Sequence, residues 1–71
     1  MVSGKITYHE KTDLLYIRLD ERPQQVTNRE VGDDIVLDLG EDDRIVGIEI
    51  LDASKRLPLD QLASIEYRKT A

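Results

Sequence analysis

Apolar and polar positions alternate along most of the chain, with the two-residue period of strands that bury one face. In Lys5-Ile6-Thr7-Tyr8-His9, Ile6 and Tyr8 share a face. In Leu15-Tyr16-Ile17-Arg18-Leu19, Leu15, Ile17 and Leu19 share one, with Tyr16 and Arg18 opposite. The polar stretch 10–13 has hairpin length, and closing it sets Tyr8 against Leu15 and Ile6 against Ile17. Residues 20–25 read as a loop, because Pro23 has no N–H to give to a ladder. A weaker strand is expected over 26–31, its register ambiguous because only Val26 and Val31 are apolar.

The clearest element is the hairpin that follows. A turn centred on Asp42-Asp43 pairs Leu39 with Val46, Leu37 with Ile48 and Ile35 with Ile50, all aliphatic and all on one face. A one-residue slip would set that face against Ile45, Gly47 and Glu49, so the register is strongly specified. The preferred two-residue turn carries Asp-Gly, since both central residues need positive φ. Here Asp43 stands where glycine is easiest, and a four-residue loop with a bulge at Gly40 would keep the pairing. The second face carries Val36, Ile45 and Leu51 among Asp38, Gly47 and Glu49, which predicts partial cover by a helix or another chain.

After Leu51 the alternation stops. Asp52 is expected to N-cap one helical turn over 53–57, which Pro58 ends. Lys55 and Arg56 fall near its C-terminal end, where cations suit the helix dipole. A second short helix is expected over 59–63. Residues 64–69 alternate again, which predicts a final edge strand with Ile65 and Tyr67 inward. The fold class is therefore α+β and mostly β: an antiparallel meander sheet of about five strands with a short C-terminal helix and that edge strand. Residues 1–71 read as a single small domain.

Composition narrows the classes. A chain of 71 residues buries only about 60% of the surface its unfolded form exposes. It has no cysteine, so disulfides and thiolate metal sites are excluded, and a cytoplasmic setting is expected. Burial against another copy or a partner is the remaining way to enlarge the core. No run approaches the length of a membrane span, and no apolar signal stretch opens the chain. The net charge of −5 argues against the usual electrostatic route to nucleic acid. The segment 30–52 holds nine acidic residues and one basic, Arg44, leaving +3 elsewhere. Such lopsidedness steers basic partners, although solubility alone accounts for acids at turns.

Candidate chemistry is sparse. His9, the only histidine, lies beside Glu10 and near Asp13, a set that suits a base or a metal site. All three fall at a strand end and its loop, where such residues are common. Asp33, Asp34, Glu41, Asp42 and Asp43 attract cations but lack the alternating oxygen spacing of a calcium loop. Ser3, Ser54 and Ser64 have no glycine elbow, and Gly4, Gly32, Gly40 and Gly47 form no phosphate-cradling loop. Gly47 is expected to relieve crowding against a neighbouring chain or helix. Tyr16 beside Arg18 is the one candidate for stacking a nucleic-acid base.

Three pieces stand in a characteristic order: Tyr8-His9-Glu10-Lys11-Thr12-Asp13-Leu14-Leu15-Tyr16-Ile17-Arg18-Leu19, the acidic hairpin, and Val46-Gly47-Ile48-Glu49-Ile50-Leu51-Asp52-Ala53-Ser54-Lys55. Over roughly residues 6–57 the chain resembles the small prokaryotic family known as domain of unknown function 2283. The resemblance implies a compact, mostly β domain and brings no activity, cofactor or catalytic residue. It also implies an antitoxin role as one expectation, from relatives encoded beside small toxin-like proteins. Asp42-Asp43 departs from the aspartate-glycine turn common in such domains.

The function expected is a non-catalytic, homodimeric protein-interaction module without cofactor, metal or catalytic residues. Alternatives are an antitoxin-like neutraliser whose Asp38, Glu41, Asp42, Asp43 and Glu49 bind a basic toxin, a nucleic-acid-binding accessory protein, and a small enzyme.

Overall fold

A computed structural model describes residues 4–70. Its strands are β1 (Lys5–His9), β2 (Leu14–Arg18), β3 (Thr27–Val31), β4 (Ile35–Leu39) and β5 (Ile45–Leu51). A helical turn, α1 (Ala53–Arg56), and a 3-10 helix at Leu59–Ser64 follow. The five strands form one antiparallel sheet in the order β1-β2-β5-β4-β3.

The first hairpin has the register its alternation predicts, Ile6 opposite Ile17 and Tyr8 opposite Leu15. In the second, Ile35 faces Ile50 and Leu37 faces Ile48, again as expected. The third expected pair is corrected: Leu39 is opposite Ile45 rather than Val46, because the register shifts between Asp38 and Leu39. Two residues of β5, Ile45 and Val46, thus stand against one of β4, the count of a β-bulge. Val46 is 1% exposed, whereas Ile45 is 45% exposed. The bulge lets Val46 stay in the core while its carbonyl accepts the amides of Leu19 (2.7 Å) and Asp20 (3.1 Å).

A continuous meander is also corrected at one step. β3, β4 and β5 follow one another, but β5 lies between β2 and β4. Burial explains the order. β5 is the longest strand and the richest in aliphatic residues, and the centre hides it best; Thr-Asn-Arg-Glu-Val of β3 is exposed throughout and suits an edge. The connection from β2 to β3 passes the β4–β5 turn, where Gln24 Oε1 accepts the amide of Glu41 (2.9 Å). In that turn Asp42 and Asp43 both have φ of +57°, and the amide of Arg44 donates to the carbonyl of Glu41. Two aspartates thus hold the left-handed pair that a tight hairpin demands.

The expected edge strand over 64–69 does not form. Residues 65–70 join no ladder. The 3-10 helix brings the chain over the apolar face instead of alongside an edge: Leu59, Leu62 and Ala63 stand over Ile6, Tyr8 and Leu15 across a cleft of about 240 Å3. Ile65 and Tyr67 remain 62% and 90% exposed.

Asp52 does not cap α1 either. It sits at φ +52° and its side chain makes no capping bond. Asp13, at φ +54° in the first hairpin, supplies the cap. Its carbonyl accepts the amide of Ala53 (2.9 Å), and its carboxylate accepts the amide (2.9 Å) and hydroxyl (2.7 Å) of Ser54. Arg56, at the other end of α1, pairs with Asp34 in the β3–β4 turn. The short helix is therefore held to the sheet at both ends.

Candidate interaction surfaces

Strand register arranges the side chains in rows across the sheet. One apolar-face row runs Ile6, Ile17, Ile48, Leu37, Arg29, and the next runs Tyr8, Leu15, Ile50, Ile35, Val31. With Leu39, Val46 and Thr27, these positions include not one carboxylate. Among the described residues only Leu15, Leu39, Val46 and Ala53 are buried hydrophobics. Ile17, Leu37, Ile48 and Ile50 are half-buried although they lie on the three inner strands. Ile6, Val31 and Ile35 are exposed. An apolar sheet face of this kind is ordinarily closed by a second layer; here the chain's own cover reaches only part of it.

The opposite face is mixed: an internally bonded polar set shares it with Leu14, Val36 and Leu51, each half-buried, in line with the partial cover expected of it. Tyr16 lies across β5 and donates its hydroxyl to Asp38 on β4 (2.7 Å), which also accepts from Asn28 on β3 (2.5 Å). Gly47 makes this crossing available: a Cβ there would collide with the Tyr16 hydroxyl. The crowding that calls for glycine comes from a neighbouring strand of the same sheet, not from another chain or a helix. Burial first, and the Asp38 hydrogen bond second, push the Tyr16 phenol above its usual pKa. Arg18 stands over the Tyr16 ring, 5.7 Å from its centroid.

The five acidic residues expected to bind a partner do not form one patch. Glu41, Asp42 and Asp43 are exposed together on the β4–β5 turn. Asp38 is half-buried, with both oxygens accepting from Tyr16 and Asn28. Glu49 lies between Tyr16 and Val36 on the polar face.

His9 pairs with Leu14 at the strand end, whereas Asp13 turns toward Tyr8 and Ser54. The Tyr8 hydroxyl donates to Asp13 Oδ1 (2.7 Å). Hydrogen bonds from the Ser54 hydroxyl, Tyr8 and the Ser54 amide, in that order of weight, hold the Asp13 carboxyl below its usual pKa. Sequence reading did not bring Asp13 and Ser54 together, since 41 residues separate them. Among the described residues no three His, Cys, Asp or Glu side chains gather as metal ligands, and no helix is long and apolar enough to cross a membrane.

The family model described as "Protein of unknown function (DUF2283)" matches residues 5–54. A stretch of 37 residues is 57% identical to part of a Methanosarcina mazei protein named "Putative hypoxanthine phosphoribosyltransferase". That match takes in 49% of this chain and 30% of the other, so the chain spans under a third of the curated relative. No solved structure matches. The chain belongs to the DUF2283 family, as its hairpin pieces suggest.

Proposed function

We propose that this protein is a non-catalytic, cytoplasmic protein-interaction module that closes its apolar sheet face against a second copy of itself. The surface area carries this reading. The chain exposes 5973 Å2; a monomer of its 8.1 kDa mass ordinarily exposes about 4,500 Å2. The excess, roughly 1,500 Å2, exceeds the ~800 Å2 that each partner contributes to a standard interface. The radius of gyration agrees, at 13.0 Å against about 11 Å for a closed domain of this length. Exposed apolar side chains of the sheet face, Ile6, Val31 and Ile35 among them, share that surplus with the exposed segment 65–70. A phosphoribosyltransferase reaction is not carried over from a relative of which so small a part is matched.

Replacing Ile48 by lysine places a charge in the middle of the face. Light scattering should show a dimer for the parent and a monomer for Ile48→Lys. A monomeric parent would defeat the proposal.

A second reading rests on the exposed Glu41-Asp42-Asp43 turn, whose charges suit a basic protein partner such as a toxin. Reversing all three to lysine should slow association with that partner, most at low salt. An unchanged on-rate would remove the turn from recognition.

A further inference from the structure

Building on the dimer proposed above, we infer that the two-fold axis runs along β4, so that Leu37 packs against the same residue of the second copy.

The apolar face is unevenly covered. Over β1 and β2 stand Leu59, Leu62 and Ala63. Ile65 and Tyr67 flank a wider cleft of about 640 Å3 beside Ile6, Ile17 and Leu19. Leu57 reaches only the corner formed by Ile35 and Ile50. Leu39 of β4 and Val46 of β5 are already buried at one end of these strands. The under-covered area is the rest of the face on β5, β4 and β3, from Ile48 and Ile50 through Leu37 and Ile35 to Val31, and its middle strand is β4. A two-fold interface is self-complementary, and residues at its centre meet their own counterparts. Leu37, half-buried in the middle of β4, occupies that centre.

Charge allows a second copy on this face despite the acidity of the chain. Each copy carries −5, yet the face has no acidic strand position. Glu30, Asp38 and Glu49 lie on the polar side, in register with Val36, Gly47 and one another's strands. Face-to-face contact therefore turns these repelling groups outward. The single cation, Arg29, is on the edge strand, where its stem can lie on the apolar row while its head stays in water.

Geometry then accounts for β3. Packed sheets stand about 10 Å apart with strands aligned within about 30°. Rotation about β4 inverts the strand order, setting β5 over the partner's β3. The partner's covered β1–β2 half then overhangs the β3 edge. Its 3-10 helix and following segment come beside Val31, which is 46% exposed in the single chain.

The chain has no cysteine, so single-cysteine variants report without background. Leu37→Cys should crosslink to a covalent dimer on oxidation or with a short bis-maleimide. Val36→Cys, its neighbour on the polar face, and Tyr67→Cys should not. A dimer that crosslinks through Val36→Cys or Tyr67→Cys but not Leu37→Cys overturns the axis and leaves the dimer standing. A parent that stays monomeric overturns both. If Leu37→Cys folds poorly, Leu37→Asp and Leu37→Lys replace it: each alone should be monomeric, and their mixture should form a heterodimer. Failure of the mixture to associate contradicts the Leu37 contact.

Discussion

Asp13 accepts hydrogen bonds from both the amide and the hydroxyl of Ser54, at 2.9 and 2.7 Å, joining the first hairpin to the helix after the last strand. Capping side chains normally come from the residue that begins the helix. Here that residue, Asp52, is in the left-handed region and contributes no cap, so the orphan amides are met from the far end of the sequence. Replacing Asp13 by glycine keeps the positive φ available and removes the side chain with its carboxylate, at the added entropic cost of a glycine. Chemical denaturation should show Asp13→Gly with a clearly lower midpoint than the parent. An unchanged midpoint would mean that the clasp contributes nothing.

The same contact sets a pH dependence. Hydrogen bonds from Ser54 and Tyr8 hold the folded-state pKa of Asp13 below the usual aspartate value that it takes in the unfolded chain. Its stabilisation is therefore fully present above that unfolded value and is lost as pH falls through the lower, folded one. The stability difference between parent and Asp13→Gly should be constant near neutrality and shrink below about pH 4. A difference that grows on acidification would reverse the assigned sign.

Gly47 and Tyr16 form a second coupled pair. A methyl group at 47 meets the Tyr16 hydroxyl, so Gly47→Ala should cost about 1–3 kcal/mol, as overpacking does. In a Tyr16→Ala background the cost should fall sharply, leaving only the tighter contact with the Ile17 carbonyl. Urea titration of the two single variants and the double variant measures the coupling, and additive effects would refute the crossing of β5 by Tyr16.

The turn offers a gain. Asp43 holds φ of +57°, a conformation that glycine adopts without steric cost. Asp43→Gly should raise stability by about 0.5–1 kcal/mol. A loss measured by thermal unfolding would show that the Asp43 side chain makes a compensating contact.

Local alternation made most of this fold legible. Ile6–Ile17, Tyr8–Leu15, Ile35–Ile50 and Leu37–Ile48 all follow from closing short loops over aliphatic faces. What was not legible depended on distant residues. The placement of β5 beside β2 requires comparing the burial demand of whole strands. The bulge at Val46 arises because its carbonyl receives two amides from the β2–β3 connection. The α1 cap depends on Asp13, and the role of Gly47 on a tyrosine from the adjacent strand. Ile65 and Tyr67 do alternate, but strand formation needs a ladder partner, and the 3-10 helix delivers them to a face. The acidic residues were visible as a cluster in sequence; two-residue periodicity sends Asp38 and Glu49 to the polar face and leaves only Glu41, Asp42 and Asp43 together at the turn.

Sedimentation equilibrium of the parent protein across the micromolar range tests the closed-face proposal most directly. A second copy on the apolar face should give a mass of twice 8.1 kDa, falling to the single-chain value for Ile48→Lys. A parent that sediments as one chain throughout that range, while remaining cooperatively folded, would contradict it.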